Sequence, residues 1–242
     1  MKKFFVLSDI HGHYDELTTA LEKAKFDTTN NNHKLIVCGD LFDRGSQNVA
    51  VYLFLKELKA KNKAIIIKGN HELFFNDLDK KLPDRVHFNY HYNAFNKTIS
   101  EFSKLAINDL TQYTNKELKT RIEANYPGFL NWLKKLPFYY ETKNYLFTHA
   151  GLQLNVSLEN NDWPKSVWTE SESLEAIDLK KYNINKKLVM GHRPTIILGE
   201  LDFDIHYSKD QQKIYIDGGI AYNGKINVLV IDDEEILENK NG

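Results

Sequence analysis

Short apolar runs and short polar clusters follow one another along this chain in a repeated order. Lys3 to Ser8 (KFFVLS), Lys34 to Cys38 (KLIVC), Ala64 to Lys68 (AIIIK), Asn144 to Phe147 (NYLF) and Lys187 to Met190 (KLVM) are brief β-branched or aromatic runs. Continuous apolar runs of this length predict strands buried on both faces. Each leads into a polar cluster: Asp9-Ile10-His11, Gly39-Asp40 to Asp43-Arg44-Gly45, Gly69-Asn70-His71-Glu72, Thr148-His149 and Gly191-His192. In open α/β sheets ligands collect beyond the carboxyl ends of the strands. The pattern therefore predicts that these strand ends share one edge and bring residues 9 to 192 together.

Helical periodicity fills the gaps. Tyr14 to Lys25 places Leu17, Ala20, Leu21 and Ala24 on one face, and Asn48 to Ala60 places Val49, Tyr52, Leu53, Leu55 and Leu58 on or near another,. The chain before residue 70 is thus expected to be a βαβαβ unit with parallel strands and right-handed crossovers. Residues 73 to 143 break the rhythm, being rich in aromatics, Asn and Lys, with Pro83, Pro127 and Pro137 and helical stretches near 94 to 107, 115 to 125 and 128 to 135,. They are expected to form a helical insertion over the strand ends, within a single domain of residues 1–242. Lys213 to Ile216 and Lys225 to Ile231 read as two further strands, Gly218-Gly219 and Asn223-Gly224 as turns, and the charged tail from Asp232 as a fraying end,.

Composition narrows the class. The 242 residues hold 32 Lys plus Arg against 33 Asp plus Glu, so no global charge draws the chain to nucleic acid or to an anionic membrane,. The apolar stretch Phe4 to Leu7 is too short for a secretory core, and no run approaches a membrane span,. Cys38, the lone cysteine, can form no internal disulfide, which favours a buried strand position and a cytoplasmic location,.

The polar clusters carry metal chemistry. Asp9 and His11, one residue apart, can face a single cation, and Asp40 can bridge two. Asn70, His149 and His192 would complete the ligand set of the second metal with amide and imidazole donors. Carboxylate, amide and imidazole without thiolate suits two divalent ions, manganese in the first place, with iron, zinc or nickel also fitting. Such a pair, about 3.5–4 Å apart, acidifies a water and clamps the oxygens of an in-line displacement at phosphorus.

With SDIHGHYDEL, GDLFDRG, GNHE, THAG and GHRP in this order over residues 8 to 194, the sequence resembles the calcineurin-like metallophosphoesterases. It is most similar to the branch of bacterial and phage Ser/Thr protein phosphatases and symmetrical diadenosine tetraphosphate hydrolases. That resemblance implies an α/β fold, a two-sheet β-sandwich flanked by helices. It implies Asp9, His11 and Asp40 on one metal and Asp40, Asn70, His149 and His192 on the other. It makes His71 the general acid and Asp43 its partner, in a direct attack by a metal-bridging hydroxide. Two other readings stand beside these roles: His71 as a further metal ligand, and Asp43 as a cap on the helix beginning near Ser46.

Arg44, following Asp43, is expected at the rim as a phosphate grip,. Phage-type relatives carry a second arginine after a Trp-containing segment; in Val167-Trp168-Thr169-Glu170-Ser171 a carboxylate, Glu170, stands near that place. Arg193, beside His192, is the candidate replacement. His13, Tyr14, His87, His91, Asn93 and Thr98 are read as structural, with no metal assigned to the two histidines of the insertion.

The leading expectation is a phosphatase of phosphomonoesters, including phosphoserine and phosphothreonine in proteins, so the partner is a phosphorylated protein or peptide or a small phosphate ester. Glu72 leans this way, since nucleotide hydrolases of the branch often have Asp there. The alternative is a symmetrical dinucleoside polyphosphate hydrolase, for which Phe88, Tyr90, Tyr92 and Phe95 could offer ring faces to a base,. A scaffold that has lost its chemistry is the third reading, to be decided by turnover. Oligomeric state is not set by any of these features.

Overall fold

The structure, a computed structural model, describes residues 1–79 and 83–235. Strands β1 (Lys2–Leu7), β2 (His33–Cys38) and β3 (Ala64–Ile67) alternate with helices α1 (Tyr14–Lys23) and α2 (Asn48–Ala60). Helices α3 (Pro83–Tyr92), α4 (Phe95–Ser103), α5 (Asn115–Asn125) and α6 (Phe129–Lys134) follow. Next come β4 (Tyr139–Glu141), β5 (Tyr145–Thr148), the short α7 (Trp163–Ser166), β6 (Lys187–Met190), β7 (His206–Tyr207), β8 (Lys213–Tyr215) and β9 (Leu229–Asp233).

The strands divide between two sheets, ordered β3-β2-β1-β9 and β4-β5-β6-β8-β7. The parallel βαβαβ unit is present, with Phe4 opposite Lys34 and Ile36 opposite Ile65. The strand ends do not belong to one sheet, however: β1, β2 and β3 lie in the first, and β5 and β6 run parallel in the second. Side-chain alternation explains the layering. Phe4, Val6, Ile36 and Cys38 face Phe147, Val189 and Ile214 of the other sheet in the sandwich interior. Phe5, Leu7, Leu35 and Val37 point the opposite way, into the core shared with α1, α2 and the insertion. On the outer face of the second sheet, Leu146, Leu188, Met190 and Tyr215 pack with Leu152, Leu174 and Leu179. A strand sandwiched between two apolar layers has no polar face, which is why these runs show no alternation.

The insertion is helical at the places expected, and α3 is an additional helix where His87 and His91 left loop and helix open. Thr114 and Glu117 form a capping box at the start of α5, each side chain bonded to the other's backbone N–H,. Within the insertion α4 and α6 pack against α2, and Thr98 of α4 reaches the loop after β2 by donating to the Asp43 carboxylate. The anchor of the insertion is aromatic: the Phe102 and Phe129 rings stack at 4.1 Å, and Phe42, Phe75 and Tyr52 surround them edge-on or tilted. Phe42 lies between Asp40 and Asp43, so this cluster also fixes the loop after β2. Phe102→Ala should therefore lower the unfolding free energy by about 3–5 kcal/mol, read from urea midpoints at constant slope. A loss below about 1 kcal/mol would show that the cluster does not hold the insertion.

The final strand differs from expectation. It begins at Leu229, after Lys225 makes a single bridge to Gly219, and continues through Asp233. The expected fraying from Asp232 is not what residues 232–235 do: Asp232 and Asp233 pair with Lys3 and Lys2, Asp233 accepts from the Asn144 side chain at 2.6 Å, and Glu235 pairs with Lys34. The remainder of that tail lies outside the described residues. Among the described residues no helix is long and apolar enough to cross a membrane.

Candidate metal centre

The strand-end loops are held in an uncommon backbone conformation. Asp9, His11, Asp40, Asp43, Arg44 and His192 all have φ between 48° and 74°, the left-handed region that costs an L-residue energy and clusters at functional sites. Cross-loop hydrogen bonds enforce it: Asp9 N donates to Gly39 O at 3.0 Å, His11 N to Asp40 O at 3.0 Å, and Gly45 N to His11 O at 2.8 Å. Gly69 admits no side chain, because a Cβ there would collide with the Asp40 carboxylate. Glu72 binds the loops from beneath, accepting from the N–H groups of Asp40 (3.0 Å), Leu41 (2.9 Å) and Gly69 (2.8 Å). It faces backbone and does not line the cleft.

Asp40 is the centre of the arrangement. Its Oδ2 lies 3.7 Å from Nε2 of both His11 and His71, and its Oδ1 lies 3.4 Å from Nε2 of His149. Two donor groups suited to cations result, His11, Asp40 and His71, and Asp40, His149 and His192, sharing that carboxylate. The ring protons are fixed by neighbours that can only accept: Nδ1 of His11 donates to Phe42 O at 2.9 Å, and Nδ1 of His149 to Cys38 O at 2.8 Å. Both Nε2 atoms therefore carry a free lone pair, and both lie beside the Asp40 carboxylate,. That of His149 lies 2.8 Å from Asn70 Oδ1 and 3.2 Å from His192 Nδ1. Lone pairs crowded against an amide oxygen repel unless a cation lies between them, and the donor set fits hard or borderline divalent ions.

Asp9 is placed beside these groups without joining either triad. Its Oδ2 accepts from His192 N at 2.9 Å, and its Oδ1 is buried with no partner in the protein. His71 occupies the place in the first triad where Asp9 was expected, while its Nδ1 lies 2.6 Å from Asp43 Oδ2. Asp43 is fastened in turn: Thr98 donates to its Oδ1, and its N–H donates to Asn48 Oδ1 at 2.8 Å and Thr98 Oγ1 at 3.0 Å. Asp43 therefore bonds with an imidazole and does not cap α2, whose capping residue is Gln47. Thr98, read from sequence as structural, proves to be the support of that carboxylate.

Burial dominates the electrostatics. It pushes the Asp9 and Asp40 carboxyls well above the usual carboxylate range, helped by the charge of Asp217 on Asp9 and of Asp9 and Glu72 on Asp40. It pushes His11, His71 and His149 well below the usual imidazole range, and His192 down to about 4. Burial also lifts Asp43 to about 8. Burial disfavours net charge on the Asp43–His71 pair, so one proton is shared between two groups that are neutral as a unit.

Asp217 is a site residue that sequence reading missed. It follows β8, is buried at 4 % exposure, lines the same cleft, and accepts from Gly219 N at 2.8 Å. The signal was a strand run followed by an acid and two glycines, read only as a turn. Its carboxyl is raised to about 6, first by burial. Two buried carboxylates, Asp40 and Asp217, thus line a cleft of about 170 Å³, with Asp9 buried close enough to feel the charge of Asp217. Two guanidiniums line the same cleft, Arg44 and Arg193, the latter already paired with Glu172, and divalent cations would favour the ionised carboxylates.

The arginines sit differently from each other. Arg44 lines the cleft with its guanidinium 5.0 Å from the centre of the Tyr222 ring. Arg193 also lines it, but Nη2 is held by Glu172 Oε1 at 2.9 Å. Glu170 is exposed and does not line the cleft; Trp168 does. The expected repulsion between Glu170 and a phosphate therefore does not arise, because the backbone turns Glu170 outward at the start of a 3₁₀ turn. His87 and His91 lie exposed on α3, away from both donor groups.

The family model of calcineurin-like phosphoesterases matches residues 2–230. Over 179 residues the chain is 28% identical to Shewanella-like protein phosphatase 1 of Plasmodium berghei (strain Anka), covering 66% of this chain and 42% of that protein. Over 155 residues it is 28% identical to the symmetrical bis(5'-nucleosyl)-tetraphosphatase of Pasteurella multocida (strain Pm70), covering 61% and 44%. The chain spans less than half the length of these two relatives. Among solved structures, a cold-active protein-tyrosine phosphatase of a psychrophilic Shewanella species superposes with a TM-score of 0.58 at 20% identity, covering 96% of this chain and 76% of that one.

Proposed function

The chain belongs to the calcineurin-like phosphoesterase family, and from that premise we propose that it hydrolyses phosphomonoesters, phosphoserine and phosphothreonine in proteins among them. One catalytic unit, spanning 1–242 and including the insertion, would do so in the cytoplasm. Asp9, His11 and Asp40 would hold one divalent cation, and Asp40, Asn70, His149 and His192 the other. When bound, the two ions, manganese in our reading, offset the buried carboxylates and supply an acidified water.

The residues of the chain do the rest. Arg44 grips phosphoryl oxygens at the edge of the cleft, with Arg193 as a second contact restrained by Glu172. His71 delivers a proton to the leaving oxygen from Nε2, while Asp43, 2.6 Å from Nδ1, orients the ring and favours its protonated form,. The observation that carries this reading is the cleft itself: about 170 Å³, beside two donor groups that share Asp40. That is below the usual range of pockets that enclose a drug-sized ligand, so it suits a phosphoryl group whose remaining substrate lies at the mouth.

The second reading is hydrolysis of symmetrical dinucleoside polyphosphates. Of the four rings considered for it, Tyr90 and Phe95 are buried, whereas Phe88 and Tyr92 are exposed and lie against each other at 4.6 Å, next to Asn93 of the cleft. Such a pair could receive a base. Phosphate release from a phosphoserine peptide should exceed cleavage of diadenosine tetraphosphate at matched concentrations with Mn²⁺. Faster nucleotide cleavage would replace the first reading by the second.

A further inference from the structure

A half-exposed tryptophan at the mouth of a polar cleft calls for an occupant. Trp168 is 47% exposed, although the short segment holding it is anchored by Val167 and Ser171, both buried. Ser171 Oγ donates to Gly191 O at 3.1 Å, which ties this segment to the strand end carrying His192. Trp168 therefore has a defined position over the cleft, and an indole face left in water there is available for contact.

Its position relative to the proton donor is informative. The Trp168 ring lies 6.1 Å from the Phe74 ring, and Phe74 lies 4.7 Å from the imidazole of His71. Trp168 is also 6.5 Å from His192 and nearly perpendicular to it. Phe74 is itself buried, at 3% exposure, so the ring of that series that substrate can reach is Trp168. Arg44 is backed by a different ring, Tyr222. The cleft thus has a phosphoryl grip backed by Tyr222 and a proton donor backed, through Phe74, by Trp168. A leaving oxygen must come within hydrogen-bond reach of its acid, so the group attached to that oxygen emerges on the Trp168 side.

We propose that Trp168 forms the leaving-group subsite, selecting phosphomonoesters that carry a flat ring close to the phosphoryl oxygen over those with small aliphatic leaving groups. The inference rests on the phosphomonoesterase reading above and deepens it: among the esters accepted, phosphoserine and phosphothreonine included, those with a flat ring within reach of the leaving oxygen are favoured. Ring stacking on the indole face supplies the selectivity. Trp168 takes no part in moving the proton; it orients the group that receives it.

The test compares 2-phenylethyl phosphate with propyl phosphate, whose leaving alcohols are both alkyl, using the full chain with Mn²⁺. The native protein should favour the ring-bearing ester in kcat/KM by about tenfold, equivalent to ~1.4 kcal/mol. Trp168→Ala should remove that preference, with kcat/KM for propyl phosphate changing by less than about twofold. Trp168→Phe should restore most of it, which separates a stacking role from damage to the segment. Equal losses on both esters in Trp168→Ala, or equal use of both by the native protein, would overturn the subsite while leaving the phosphomonoesterase reading intact. Hydrolysis of neither ester by the native protein with any divalent ion would instead defeat the parent reading, and the subsite with it.

Discussion

Asp40→Asn is expected to leave the fold intact and to cut turnover of p-nitrophenyl phosphate with Mn²⁺ by on the order of 10³-fold, ~4 kcal/mol of transition-state stabilisation. The size follows from position. Asp40 is the one side chain common to both donor groups, and each of its oxygens faces a different histidine set. An amide keeps the shape and one oxygen, so His71 N can still donate where it now reaches Oδ1 at 3.1 Å. What it loses is the charge and the second donor oxygen. Bound metal, counted by elemental analysis, should fall from about two ions per chain to one or fewer. The metal-free variant should melt no lower than the parent, because burial and the charges of Asp9 and Glu72 already oppose ionisation of Asp40 in the folded state,. Equal turnover by both proteins would defeat the metal mechanism. Absence of turnover by the parent with any divalent ion would favour a scaffold that retains the fold without the chemistry.

The residues around Asp40 were readable in advance because each occupies the same structural address, the first polar position after a buried strand. Val6 and Leu7, or Val37 and Cys38, announce a strand that is apolar on both sides, and the following turn has only one open edge to face. Local sequence could not partition those strands. Phe4 and Phe147 read alike, yet they come from different sheets packed against each other. Asp217 was hidden for a related reason: Gly218-Gly219 explains itself as a turn, and nothing local says that the acid before it is buried beside Asp9. Glu72 and Arg193 show the converse. Adjacency to His192 suggested a free phosphate contact at Arg193, which lines the cleft but is paired with Glu172, and Glu72, read as a marker of substrate class, turns to backbone amides. Neighbours in sequence at a tight turn point in different directions, so motif membership identifies a loop more reliably than it identifies a ligand.

His71→Asn should separate the two roles that the geometry leaves to this residue. Its Nε2 belongs to the first donor group, 3.7 Å from Asp40 Oδ2, and its Nδ1 is bonded to Asp43. If His71 is the acid, the effect depends on the leaving group. An alkyl phosphate expels a strongly basic oxygen and should lose about 10²–10⁴-fold in kcat. p-Nitrophenyl phosphate, whose phenolate leaves without help, should lose far less. Bound metal should stay at about two ions per chain, since Asp9, with its unpartnered buried Oδ1, and His11 remain for the first site,. Asp43→Asn should reproduce the leaving-group dependence more weakly, because the imidazole survives but its protonated form loses a carboxylate at 2.6 Å,. A ligand role would produce the opposite pattern: one ion lost, and both esters slowed by the same factor. The decisive measurement is therefore the ratio of the two rate losses taken together with metal content, because a structural lesion would lower both rates without favouring either ester.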